Sequence, residues 1–206
     1  MEEISYFIKG VIIGLSIAVP VGPIGVLCIR RTLTRGRIIG FLSGLGAATA
    51  DAFYGAIAGF GLTFLSNLLV GQQTGLRLIG GGLLCIIGVK TFLSKPAEQG
   101  NSVERNTHWR AYLSTLILTL TNPMTILFFA AVFAGLVVGS GGDHYFSAGI
   151  LVLGVFIGSA SWWLILSGFT GLLRGMFNAN RMRWLNRISG SIIIGFGLAA
   201  FLSLVR

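Results

Sequence analysis

Residues 18–31 read AVPVGPIGVLCIRR. Two prolines and a glycine interrupt an apolar run that begins near Ile4, and two arginines close it. The run is long enough to cross a bilayer as a helix, which takes about 20 residues. Proline removes a backbone donor and obstructs the turn behind it. In hydrocarbon an unpaired backbone group is costly, so an opened helix is tolerated only beside protein or a water-filled cavity. The stretch therefore predicts a membrane span that is broken where protein or water can complete it.

The rest of the chain fits that reading. Of 206 residues, 54% are hydrophobic and 10% charged, against about 25% charged in soluble domains. Mean hydropathy is +0.86. Apolar runs cover 4–29, 38–70, 76–93, 112–138, 145–173 and 184–205. The expectation is an all-α polytopic membrane protein with six transmembrane helices and no room for a soluble catalytic domain. The run 38–70 exceeds one straight span, so it predicts a tilted helix or an end, near Leu62–Val70, lying along the outer interface.

The net charge of +9 raises nucleic acid as a partner, but the distribution argues against it. Arg30, Arg31, Arg35 and Arg37 follow the first run. Lys90, Lys95, Arg105 and Arg110 follow the third, and Arg174, Arg181, Arg183 and Arg187 the fifth. Basic residues collect on the cytoplasmic side of membrane proteins. The three loops are thus expected inside and both termini outside, in the cytoplasmic (inner) membrane. The arginines after helix one read mainly as an orientation signal, with a gate as the competing reading; for the basic charge as a whole, contact with anionic lipid is a secondary role. Met-Glu-Glu at the start is not a basic leader, so no cleaved signal peptide is expected.

Two halves of three helices are expected. LIGGGLLCIIGVKTFLS (78–94) aligns with RISGSIIIGFGLAAFLS (187–203), matching Gly81 with Gly190, Gly88 with Gly197 and Phe92 with Phe201 at one offset. The same offset pairs Gly40 with Gly149 and Gly59 with Gly168. VGPIGVL (21–27) aligns with TNPMTIL (121–127), placing Pro23 on Pro123. An odd number of helices per half makes the halves run in opposite directions, the inverted repeat of many secondary transporters. The expected units are residues 1–93, a cytoplasmic linker 94–110, and residues 111–206, with proline-broken helices one and four.

Among the six acidic residues only Asp51 falls deep in a span. It lies eleven residues past Gly40, about 16 Å along a helix, near the midplane. An aspartate there costs about 2.5–3.5 kcal/mol on insertion and by default marks function. Low dielectric disfavours a charged carboxylate, which suits a group that exchanges a proton or meets a substrate amine. The competing reading is an aspartate that ties helices together. Gly44, Ala47, Ala48, Gly55 and Ala58 share its face, leaving either close helix approach or a cavity. Pro20, Gly22 and Pro23 on one side and Thr121, Asn122 and Pro123 on the other are read as paired helix breaks. Exposed amides at such breaks suit a carboxylate and exposed carbonyls a cation; the competing reading is a plain kink. Thr115, Thr119 and Asn122 share one face of helix four, as a polar path or as interhelical hydrogen bonds. Tyr54 is a candidate gate or pocket wall. In the second half Trp163 and Ala160 take the places of Tyr54 and Asp51. His108 and His144 fall in loops on opposite sides, so no metal site and no cofactor is expected.

The segment PVGPIGVLCIRRTLTRGRIIGFLSGLGAATADAFYGAIAGFGL, together with LTNPMTILFFAAVF, resembles the lysine exporter (LysE/RhtB) family of amino-acid exporters across nearly the whole chain. The resemblance implies export of amino acids or close derivatives, driven by protons, with Gly22, Pro23, Asp51, Asn122 and Pro123 as motif residues. Partners would be a small amino acid, protons and the bilayer, and a homo-oligomer is compatible with this. No catalysis is implied. Three alternatives compete with this reading: a membrane electron relay using Cys28 and Cys85, a metal-ion exporter, and a non-transporting scaffold. The cysteines are not repeat-equivalent, buried thiols are commonly just hydrophobes, and one acid with two distant histidines offers few ligands.

Overall fold

The computed structural model describes residues 2–20, 22–60, 71–94, 105–137, 145–176 and 179–203, and every regular element among them is helical. Helix α1 spans Glu2–Ala18, with Glu2 and Glu3 in its first turn where the helix dipole favours negative charge. It stops before Pro20. Helix α2 spans Pro23–Arg35, with Gly22 at its N-cap. Proline is at home in a first turn, where its missing N–H has no partner to lose. The two helices meet at 80°, so no single straight helix runs through Pro20 and Pro23.

Gly36 turns the chain from α2 into α3, which spans Arg37–Gly59. Its φ of 101° lies where side chains are strained, and its N–H closes α2 on Thr32 O at 2.9 Å. Helix α4 spans Gln73–Phe92, α5 Arg105–Leu120 and α6 Pro123–Val137. The pair α5–α6 is bent by 60°. Helix α7 spans Tyr145–Leu172, continues as a 3-10 turn over Leu173–Met176, and α8 spans Ala179–Leu202.

Among the described residues three helices are long and apolar enough to cross a membrane alone, or up to five spans if each bent pair counts as one. The 23-residue α3 is not among them; Asp51 and a run of small residues lower its hydropathy. The expected long second helix ends at Gly59, and the segment 62–70 lies outside the described residues.

Backbones approach closely where the sequence supplies glycine. A Cβ on Gly10 would stand 2.2 Å from Leu151 O, and one on Gly154 would stand 2.4 Å from Phe7 O. Helices α1 and α7 therefore pack nearly backbone to backbone. Helix α5 approaches α3 in the same way, across Gly46 and Tyr112. Between α4 and α8, a Cβ on Gly81 would meet Gly197 O at 3.2 Å, and one on Gly190 would meet Gly88 O at 2.8 Å. Buried Leu27, Cys28, Ala47, Leu118, Trp163 and Ile193 form one core cluster, and Tyr54, Ile57, Ile126, Phe129 and Val155 a second. The outer faces stay apolar: Ile4, Ile12, Leu153, Leu164, Phe169 and Leu202 are exposed. A belt of that kind suits lipid and not water.

Candidate functional site

The two helix breaks face one another. Pro23 and Ile24 at the start of α2 and Leu118, Thr121 and Asn122 at the end of α5 line one cavity, floored by Gly80 and Gly81 of α4. Its volume is about 10 Å³, the space one water needs. Glycine is required at position 80, because a Cβ there would lie 2.5 Å from Thr121 O.

The second break can be followed bond by bond. Thr121 N reaches Ile117 O at 3.0 Å, as in a helix, but Asn122 N tightens onto Thr119 O at 3.1 Å. Pro123 has no N–H. Met124 N turns to Asn122 Oδ1 at 3.2 Å, and Ile126 N to Asn122 O at 3.3 Å. Asn122 is thus the cap of α6, and proline follows it at the first helical position. The Leu120 carbonyl, deprived of its helical donor, accepts the Tyr54 hydroxyl from α3. Tyr54 also stacks on Phe129 of α6, with ring centroids 5.9 Å apart. The first break is barer. Val26 N bonds Gly22 O at 3.1 Å, and no side chain caps α2.

Asp51 is buried in α3, 3% exposed. Ser159 of α7 donates to its Oδ2 at 2.7 Å, and Trp163 Nε1 donates to Ser159 Oγ at 3.2 Å. Of the small residues on the face of Asp51, Gly44 makes room for the Trp163 side chain, which a Cβ there would strike, while a Cβ on Gly55 would only touch Val155 at 3.4 Å. Asp51 does not line the cavity at the breaks. Tyr54, one turn along α3, is the link between the two places.

The structure thus brings Pro23, Thr121 and Asn122 to one cavity, places Gly22 at the adjoining N-cap, and leaves Pro20 exposed in the break. Pro123 opens α6. Thr115 and Thr119 are buried and bond back to Ala111 O and Thr115 O of their own helix. Cys28 is buried and Cys85 partly so, and both are free thiols. No group of His, Cys, Asp or Glu suited to a metal occurs among the described residues, and His144 lies outside them.

Sequence reasoning missed Ser159 and the inward bonding of Arg31. Ser159 is one of several serines in α7, and nothing local singles it out. Arg31, which reads mainly as an orientation signal with a gate as the lesser reading, has its side chain held by Ser43, Ala111, Ser114 and Thr115. The signal was present: Ile24, Leu27 and Cys28 are the buried stripe of α2, and Arg31 continues it at helical spacing.

The sequence model for the LysE type translocator matches residues 15–204. YcgF of Bacillus subtilis (strain 168), named as a candidate amino acid efflux protein, is 28% identical over 196 residues, covering 93% of this chain and 92% of that protein. The threonine efflux protein of Escherichia coli (strain K12) is 27% identical over 184 residues, covering 84% of this chain and 86% of that protein. YahN, an uncharacterized membrane protein of the same strain, is 28% identical over 174 residues, covering 82% and 77%. No solved structure matches.

Proposed function

The chain belongs to the LysE type translocator family, made of membrane transporters and not of enzymes, and from that premise we propose that it exports amino acids or close derivatives from the cytoplasm in exchange for protons. The observation that carries this reading is the meeting of two proline-started helices at one cavity. The uncapped N-terminus of α2 offers amides and the positive end of a helix dipole to a carboxylate. Asp51 is the buried acid that alternates between proton and substrate amine. The small cavity is the closed form, which must widen before a substrate fits.

The arrangement we infer is two inverted three-helix halves: α1–α2, α3 and α4, then α5–α6, α7 and α8. Support comes from two glycine crossings. Gly81 aligns with Gly190 and Gly88 with Gly197, so exchanging the halves carries the Gly81–Gly197 contact onto the Gly190–Gly88 contact. A two-fold axis between α4 and α8 requires that reciprocity. The packing of α1 on α7 and of α5 on α3 is the same exchange. The arginine-dense ends then face the cytoplasm, with both termini outside the inner membrane.

The relatives' names make threonine and other small neutral amino acids the first to test. Proteoliposomes loaded with single amino acids are expected to release at least one of them faster under an imposed pH gradient. Release of none, or release indifferent to the gradient, would remove the export or the coupling respectively.

A further inference from the structure

Two consecutive arginines near the end of α2 reach into the protein by different routes. Arg30 Nε donates to Asn186 Oδ1 at 2.8 Å, and Asn186 Nδ2 donates to Ser94 O at 3.0 Å. Arg31 turns the opposite way. Its Nη1 donates to Ser43 Oγ, Ala111 O and Thr115 Oγ1, each at 2.9 Å, and its Nη2 to Ser114 Oγ at 2.8 Å. All four acceptors are neutral.

A guanidinium withdrawn from water is expensive unless an opposite charge offsets it. Among the described residues no carboxylate answers Arg31: Glu2 and Glu3 open α1, and Asp51 is bonded to Ser159. The fork that recognises a carboxylate through two parallel bonds is held instead by hydroxyls and a peptide oxygen. Two of those hydroxyls, Ser114 and Thr115, belong to α5.

We propose that Arg31 is the receiving site for the substrate carboxylate at the cytoplasmic mouth, the carboxylate displacing Ser114 and Thr115 from the guanidinium. The proposal rests on the export reading and adds to it a first station ahead of the helix breaks. Thr115 shares its helix face with Thr119 and Asn122, so the station opens onto the side of α5 that leads to the cavity. Seven residues separate Thr115 from Asn122, about 10 Å at the rise of a helix, so the station stands apart from the breaks. Arg31 also ties α2 to α3 and α5. A ligand that takes over its fork unties α5 there, so arrival of substrate and release of the mouth become one event.

The test uses the purified full-length protein, its thermal unfolding midpoint titrated with the common amino acids and with the matching amino alcohols, which lack the carboxylate. At least one amino acid raises the wild-type midpoint, and its alcohol does not. Arg31→Gln raises the half-saturating concentration about tenfold to a hundredfold, the worth of a hydrogen bond to a charged group. Arg31→Lys keeps the charge without the fork and falls between, which covers a Gln variant that fails to fold. Ser114→Ala removes a competitor and lowers the half-saturating concentration roughly twofold to tenfold, a gain that a merely structural arginine does not predict. Equal stabilisation by acid and alcohol, equal affinity in Arg31→Gln, or no amino acid acting on the wild type would each overturn the proposal. Arg31-dependent binding without wild-type efflux overturns the export reading alone. Wild-type efflux unchanged in Arg31→Gln overturns this station alone.

Discussion

The Tyr54 hydroxyl on α3 donates to the Leu120 carbonyl at the end of α5. That carbonyl is one of those the Asn122–Pro123 break leaves without a helical donor. A side chain from the helix that carries Asp51 thus completes the backbone of the other broken span. Replacing Tyr54 by Phe keeps the ring against Phe129 and removes only the donor. Leaving a buried carbonyl unpaired costs about 1–3 kcal/mol. The Phe variant is expected to unfold at lower temperature in detergent and to export more slowly; an unchanged midpoint would show that water replaces the hydroxyl.

Asn122 caps α6 through its side chain. Loss of such a cap costs about 0.5–2 kcal/mol. Asn122→Ala is therefore expected to destabilise, and Asn122→Asp or Asn122→Ser to recover most of the loss in the same melting assay. If Ala and Ser behave alike, the cap is not what position 122 supplies.

The backbone contact between α1 and α7 makes a sharper contrast. Gly154→Ala places a methyl 2.4 Å from Phe7 O, which only backbone movement relieves. Overpacking of this kind costs about 1–3 kcal/mol. Gly149 lies on the same helix with nothing within 4 Å. Gly149→Ala should be neutral or stabilise by up to about 1 kcal/mol, the helix preference of alanine over glycine. Comparable midpoints for the two variants would contradict the packing described.

Ser159 is the hydrogen-bond donor that the structure gives to Asp51. Ser159→Ala keeps the volume small and is expected to slow export while the protein still folds and inserts; Ser159→Thr, which retains a hydroxyl, should recover part of it. Full transport by the alanine variant would leave Ser159 as packing only.

Much of this was readable from residue types whose physics is strong. Prolines in an apolar run pointed to both bends, because they free backbone groups that a regular helix would pair, although a plain kink stood beside a break as the outcome. Asn122 before Pro123 is a cap followed by a first-turn residue, although the sequence suggested a site before it suggested a cap. The small residues beside Asp51 were ambiguous, since glycine and alanine serve a cavity and a close crossing equally; at Gly44 the space is taken by the Trp163 side chain. For Arg31 a gate stood second to orientation, because a basic residue at a helix end has a ready topogenic explanation. Only its place on the buried stripe of α2 tells otherwise. Ser159 depends on how two distant helices cross, which no local pattern encodes.

The central claim is that Asp51 couples proton movement to substrate export. It is tested most directly by recording proton uptake and substrate release together in proteoliposomes bearing wild type or Asp51→Asn. The account predicts substrate-dependent proton flux in wild type and, in a variant that folds and inserts normally, loss of that flux together with gradient-driven release. Gradient-driven release at the wild-type rate by Asp51→Asn would contradict it.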